Sequence, residues 1–302
     1  MDAPVIAIVT GATGFIGSRV VAALLESGAT VRVITSGSTP LNRLGERKAH
    51  VSWFGVTDYD LDQATEGATH FFNLAVVYDR AEFPDSLIAD VNVSLPMRIL
   101  QRLRSQGGPV TCVLGDTFFR KFPPQATRQR RYTKSKQLLI EEVDRFELGD
   151  RMRIAHLQIE QVYGTGEALT KVFPLMTSRM LTNVERIALT PGSQRRDFVH
   201  ADDVTRAAMT VMAASDWQGK LVVECGCGES HTVRTVFEQL HAFTRSTSIL
   251  GFGDLPNDQS IDDSKADTRW LLQHGWQPTI PLTQGLVTLV KDVATRLASA
   301  AA

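Results

Sequence analysis

The chain has 302 residues, 43% of them hydrophobic, and a formal charge of -1. That is enough for a large core and about two domains, and nothing in the charge favours nucleic acid or a membrane surface. No stretch reaches the roughly 20 apolar residues of a membrane span. Cys112, Cys225 and Cys227 give neither a disulfide framework nor a zinc spacing, so they read as ordinary thiols of a reducing cytoplasm, with no metal site expected. The first residues carry no basic-then-apolar leader, which also points to a cytoplasmic location.

An apolar run over residues 5–9 leads into Thr10-Gly11-Ala12-Thr13-Gly14-Phe15-Ile16-Gly17. Val20, Val21, Leu24 and Leu25 then recur at helical spacing, which predicts strand, tight turn and helix. The G-x-x-G-x-x-G spacing is that of a dinucleotide turn. Gly11 permits the turn, Gly14 admits a pyrophosphate, and Gly17 lets the helix pack on the strand. The amides of the helix start then face the anion, among Thr13, Phe15 and Ile16.

A second strand is expected over residues 30–34. An NAD site normally carries an acid about 20 residues past the glycines, bonded to the ribose 2′-hydroxyl. Here the chain reads Thr35-Ser36-Gly37-Ser38, and Arg43, Arg47 and Lys48 follow. A carboxylate would repel a 2′-phosphate and hydroxyls would not, so NADP(H) is favoured, with Ser36 and Arg43 as its contacts. NAD(H) stays open.

A third strand lies around residues 50–55 and a fourth over 69–76. Leu74, Ala75 and Val76 at its end fall where an open α/β sheet has its ligand crevice. A helix over 91–103 follows, with Asn92 near its start, and Gly107-Gly108-Pro109 stops it. A fifth strand, 110–114, runs into Gly115-Asp116-Thr117-Phe118-Phe119. Residues 120–131 read as a basic, proline-containing loop that either faces phosphates or is solvated.

Tyr132 and Lys136 then stand four apart on a helix over 132–146, on the same side. A free tyrosine titrates at about 10, and an ammonium beside it favours the phenolate. Such a phenol can give a proton to a carbonyl oxygen and take it back in reverse.

Together these motifs resemble the extended short-chain dehydrogenase/reductase family, and in particular its sugar-nucleotide branch of epimerases, dehydratases and reductases. The likeness runs nearly end to end. Residues 10–17 match the family's T-G-x-x-G-F-I-G, and Tyr132 with Lys136 its Tyr-x-x-x-Lys pair. Gln161-Val162-Tyr163-Gly164-Thr165-Gly166 matches its N-V-Y-G-x-G segment, and Arg196-Asp197-Phe198-Val199-His200 its R-D-F-V-H. Asp263-Ser264-Lys265-Ala266 and Gly275-Trp276-Gln277-Pro278 match its late element.

The resemblance implies an α/β fold, a Rossmann doubly wound parallel sheet with helices on both faces, plus a smaller C-terminal α/β part. The sheet domain would comprise residues 1–163, with 196–225 returning to it. Residues 164–195 and 226–302 would bind a sugar nucleotide. Lys136 would also bond the nicotinamide ribose. Leu74, Ala75 and Val76 would flank the cofactor, Asn92 would lie on its adenosine side, and Val162 near the nicotinamide. Arg196 would hold the sugar-nucleotide phosphates, as a guanidinium can, and Tyr163 would be a further substrate contact. A homodimer is implied, formed by the helix from about residue 96 and the Tyr132 helix.

The family's Ser or Thr at the end of strand five is Gly115 here, which leaves Thr117 to position the reacting carbonyl. The Glu of the dehydratases' Thr-Asp-Glu run is absent from Gly115-Asp116-Thr117. The resemblance thus implies NADPH-dependent reduction of a 4-keto-6-deoxy sugar nucleotide, with Tyr132, Lys136 and Thr117 catalytic. A 4-epimerase with bound NAD is the alternative, ahead of a 4,6-dehydratase or a non-catalytic NADP-binding regulator. A last helix over 282–297 closes the small part, and residues 298–302 are expected to fray.

Overall fold

The structure is a computed structural model that describes residues 4–37, 41–256 and 261–301. Ser38 lies outside the described residues. The first half alternates strand and helix: β1 (Ile6–Thr10), α1 (Gly17–Glu26), β2 (Thr30–Ile34), β3 (Ser52–Phe54), α2 (Asp58–Thr65) and β4 (His70–Asn73). Then come α3 (Asp85–Ala89), α4 (Leu95–Ser105), β5 (Val110–Thr117), α5 (Arg130–Arg145) and β6 (Met152–Ile159). The second half holds β7 (Gln161–Tyr163), α6 (Val172–Leu181), β8 (Arg186–Leu189), β9 (Arg195–Arg196), β10 (Phe198–His200), α7 (Ala201–Ala213) and β11 (Lys220–Cys225). It ends with β12 (His231–Thr232), α8 (Val233–Thr244), β13 (Ile249–Phe252), α9 (Arg269–Gln273) and α10 (Leu282–Ala301). No helix of the described residues is long and apolar enough to cross a membrane.

Seven strands form one parallel sheet in the order β11-β6-β5-β4-β1-β2-β3. The order reverses between β1 and β4, and a crevice opens at the carboxyl ends of those strands. Both faces of such a sheet must be covered, which is why β1 reads as an unbroken apolar run. On one face α1 and α7 pack through Val20, Val21, Leu24, Val204, Ala207 and Val211. On the other lie α2, α4 and α5, through Leu61, Ile99, Leu103, Leu139 and Val143. Each of these valines, leucines and isoleucines contributes roughly 1.5–3 kcal/mol by its burial. A third core, with Phe173, Met180, Phe237, Leu240, Leu286 and Leu289, builds the smaller part.

Several boundaries differ from expectation, each for a local reason. β5 continues to Thr117 because β6 pairs with it as far as Thr117 opposite Ile159. β4 stops at Asn73, where the Leu74 N–H turns back to the Thr10 carbonyl at 3.2 Å. The helix of Asn92 starts earlier, at Asp85, and runs to Ser105 through one widened π turn, Asp90–Ser94. α10 continues through Ala301, past the expected fraying point. Residues 269–276, assigned to the small part from sequence, return to the sheet: Leu271 and Trp276 sit in its core. The Trp276 indole N–H donates to the Asp203 carbonyl at 3.0 Å, which anchors that return on α7.

Candidate active site

The glycine turn joins β1 to α1 at the crevice. Gly11 has φ of +68°, and a Cβ there would collide with the Leu74–Ala75 peptide. A Cβ on Gly17 would collide with the Gly11 carbonyl, so glycine at 17 is what lets α1 start this close to β1. The turn is closed by Gly14 N–H to Gly11 O at 2.9 Å. The Thr10 hydroxyl donates to Asn73 Oδ1 at 2.7 Å and ties β1 to β4 below the crevice. Among the described residues the backbone N–H groups of Phe15 and Ile16 have no acceptor. With the positive end of α1 behind them they form an anion cradle. A nicotinamide dinucleotide fits this turn, and half-buried Leu74, Ala75 and Val76 line the crevice beside it.

At the end of β2 the chain offers hydroxyls and no acid. The Gly37 N–H donates to the Thr35 hydroxyl at 3.1 Å, and Ser36 is exposed. Arg43 leans back over the glycine turn, donating to Thr13 O at 3.4 Å and to Gly166 O at 3.2 Å. Arg19 fastens the same region: it donates to Phe15 O at 2.9 Å, to Thr165 O at 2.6 Å and to Asp202 at 2.7 Å. Residues 165–166 are thereby held across the start of α1.

Tyr132, Lys136 and Thr117 come together, each at most 6% exposed. Thr117 lies beside the Tyr132 phenol, close enough to lower it, and its hydroxyl accepts the Phe119 N–H at 3.3 Å. The Tyr78 ring packs against Tyr132 with centroids 5.1 Å apart. The Lys136 ammonium lies 6.0 Å from the centre of the Tyr132 ring and donates to the Gly115 carbonyl at 2.6 Å. The expected lowering of Tyr132 by Lys136 is corrected here. Burial, with Tyr78 and Asp116 adding to it, pushes the phenol well above its ordinary value, and Thr117 offsets only part. Burial lowers Lys136 and Asp116 counters that.

Gly115 also acquires a reason. A Cβ there would sit 3.2 Å from the Asn73 carbonyl and 3.2 Å from Leu74 Cδ2, so a serine or threonine would crowd β4. Asp116 next to it is buried, with Oδ2 on Arg120 Nε at 2.8 Å and Oδ1 without a partner among the described residues.

Three of the expected groups are engaged within the chain itself. The Asn92 side chain bonds to the loop after β4 and to α5. Its Oδ1 accepts the Val77 N–H at 2.8 Å, and its Nδ2 donates to Val77 O and to Ser135 Oγ, both at 2.9 Å. It braces the post-β4 loop against α5, and the π turn gives its side chain that reach. Tyr163 is 1% exposed in the small part's core, packed on Phe173 and His200, with its hydroxyl donating to Leu282 O at 3.4 Å. It is a core residue because β7 pairs with β10 and turns the ring inward. The basic loop is neither solvated nor turned to a phosphate at three of its cations. Arg120 meets Asp116, Lys121 meets Glu160 at 2.7 Å and Glu224 at 2.5 Å, and Arg131 meets Asp79 at 2.7 Å and Asp85 at 2.9 Å.

Arg196 is buried, donating to Arg195 O at 2.6 Å and Ile261 O at 3.1 Å, and its guanidinium lies 5.9 Å from the Phe118 ring centre. Two of its five N–H groups are so engaged. Val162 is half-buried and packs on the sheet core. Sequence reasoning missed Tyr78 and the Asp79–Arg131 pair that fastens its loop to α5. Only the three-dimensional register reveals them. Cys112 and Cys225 are buried, and burial pushes Cys227 up to about 12, so none is a reactive thiol.

Comparison with known proteins agrees with this geometry. The chain is 28% identical to CDP-abequose synthase of Salmonella muenchen over 92% of this chain and 94% of that one. It is 26% identical to a putative UDP-glucose 4-epimerase of Methanocaldococcus jannaschii over 94% and 96% of the two chains. The fold is shared with the UDP-glucuronic acid 4-epimerase of Bacillus cereus, solved with UDP-glucuronic acid and NAD. There the TM-score is 0.81 at 19% identity, covering 96% of this chain and 99% of that one. The model of the NAD dependent epimerase/dehydratase family matches residues 7–226, from β1 to just past β11, and the chain belongs to that family.

Proposed function

We propose that the protein uses NADPH to reduce a 4-keto-6-deoxy sugar nucleotide to the corresponding deoxyhexose nucleotide. A bound nicotinamide dinucleotide supplies hydride chemistry at the sugar carbon. The chain supplies binding, orientation and the proton. Gly11, Thr13, Gly14, Phe15, Ile16 and Gly17 hold the pyrophosphate, Ser36 and Arg43 the 2′-phosphate, and Leu74, Ala75, Val76 and Val162 the walls. Tyr132 gives its proton to the carbonyl oxygen as negative charge grows there. Thr117 holds that oxygen, Lys136 holds the nicotinamide ribose and the positive potential, and Arg196 pairs with the diphosphate.

The observation that carries the reductase reading is the end of β2. Thr35 and Ser36 stand where a carboxylate would read an NAD ribose, and Arg43 reaches over the turn to Thr13 O. Asp116 supports it, because its carboxylate faces Arg120, not an open sugar site where a dehydratase needs an acid. The likeness to CDP-abequose synthase supports a sugar-nucleotide substrate.

The epimerase reading draws on the M. jannaschii relative. The two separate on the nucleotide released when the purified protein is denatured. Little nucleotide, or NADP, fits the reductase; stoichiometric NAD transfers the reading to the epimerase.

A further inference from the structure

Lys136 is a cation in an uncommon position. It is 4% exposed, and among the described residues its one hydrogen bond is to a neutral acceptor, the Gly115 carbonyl. Among the described residues it makes no ion pair. A buried ammonium in that state tends to lose its proton. The next residue along β5, Asp116, has a side chain only 2% exposed. One carboxylate oxygen meets Arg120, and the other is buried and, among the described residues, without a partner. A buried acceptor without a donor is costly unless a nearby charge uses its potential.

We propose that Asp116 is a positioning residue of the reaction: a buried counter-charge, shared between Arg120 and Lys136, that keeps Lys136 an ammonium and Tyr132 a phenol behind the reacting carbonyl. The inference rests on the reading of Tyr132 as proton donor. No bond to carbon is made or broken by Asp116; it acts only through the charge of its neighbours. Burial is the largest influence on all three groups, raising Asp116 and Tyr132 and lowering Lys136. Against it Asp116 holds Lys136 up, and Arg120 and then Lys136 hold Asp116 down.

The other charged and titratable groups around this cluster are few. Arg120 lies on the turn after β5, His156 on β6, Lys220 at the start of β11 and Tyr78 on the loop after β4. His156, held down to about 3 by burial and by Arg120, Lys136 and Lys220, is neutral near pH 7 and offers Lys136 no charge. Among the described residues Asp116 is therefore the anion that acts on Lys136.

The test is a titration of the free protein with 13Cε-labelled lysine, the Lys136 signal being assigned by its loss in Lys136→Met. Asp116→Asn is expected to move the Lys136 midpoint down by about one pH unit. Arg120→Gln, which frees the carboxylate from its competing cation, is expected to move it up. The alkaline limb of kcat/KM moves in the same two directions, which a merely structural loss would not produce. A Lys136 midpoint equal to the wild type's in both variants overturns the proposal and leaves Asp116 as a partner of Arg120 alone. If Asp116→Asn does not fold, the same change is read in the Arg120→Gln background, where no guanidinium is left stranded: a Lys136 midpoint equal to that of Arg120→Gln alone overturns the proposal and a lower one supports it. A wild type inactive on every keto-sugar strikes the proposed function instead, and the lysine titration still decides the role of Asp116.

Discussion

The ammonium of Lys136 donates to the Gly115 carbonyl at 2.6 Å, the peptide between the crowded end of β4 and the buried Asp116. The helix thus locks the charge of the Tyr-x-x-x-Lys pair to the end of β5, and Thr117 on that same strand end lies beside the phenol and lowers it. Burial raises Tyr132 and lowers Lys136, so Tyr132 holds the proton it must give throughout the neutral range. Reduction is expected to weaken only as pH rises and these groups lose protons. Tyr132→Phe is expected to lose roughly 10²- to 10⁴-fold in kcat with an unchanged melting profile. A pH–rate profile rising from neutral to alkaline pH in the reductive direction would contradict this assignment.

The Thr117 hydroxyl accepts the Phe119 N–H and sits beside the Tyr132 phenol, which it lowers. Thr117→Ser keeps the hydroxyl and is expected to stay within a few-fold of wild type. Thr117→Val is expected to lose about ten- to a hundredfold in kcat, the worth of one hydrogen bond to a developing charge. Adding Gly115→Ser to Thr117→Val is expected not to restore activity, because the new Cβ presses on Asn73 O and Leu74. Steady-state kinetics of the three variants check this, and rescue by the added Gly115→Ser change would show that the strand end has room after all.

Asn92 closes three hydrogen bonds between the post-β4 loop and α5. Asn92→Leu leaves the Val77 amide and carbonyl without those partners in a half-buried place, and is expected to destabilise by about 1–3 kcal/mol. Because the loop it braces flanks the cofactor crevice, dinucleotide affinity is expected to fall as well. Urea unfolding and a fluorescence titration with NADPH measure the two effects. A loss of stability with unchanged affinity would confine Asn92 to the fold.

His156 is buried on β6 and stays neutral in the folded chain down to about 3. In the unfolded chain it protonates below about 6.5. Its folded value is depressed, so the unfolded state binds more protons between those limits and stability falls as pH drops through them. The slope is about 1.4 kcal/mol per pH unit for this one group. Unfolding midpoints at pH 7.5 and 5 are expected to separate more for wild type than for His156→Gln. Equal separations would place the acid sensitivity on other groups.

Much of this was legible from spacing because the physics is local. The glycine turn, the alternation of strand and helix, and the four-residue step from Tyr132 to Lys136 each depend on neighbours in the chain. What spacing hid depends on distant partners. Tyr163 lies in a motif that suggests a substrate contact, but pairing of β7 with β10 buries it. Asn92 follows no helix periodicity, because a π turn rotates it toward Val77. Lys136 was legible as the partner of Tyr132, but its bond to Gly115 required the β5 strand end beneath α5. The return of Leu271 and Trp276 to the sheet core needed α7 as its dock, a contact with no signature in the segment itself.

The most direct measurement is the absorbance of reduced nicotinamide while the protein is mixed with NADPH, or NADH in parallel, and a panel of 4-keto-6-deoxy sugar nucleotides. The account predicts loss of absorbance with one of them, faster with NADPH, and a smaller NADPH preference in Arg43→Ala. No loss with any of them, together with interconversion of 4-hydroxyl epimers in the absence of added cofactor, would contradict it.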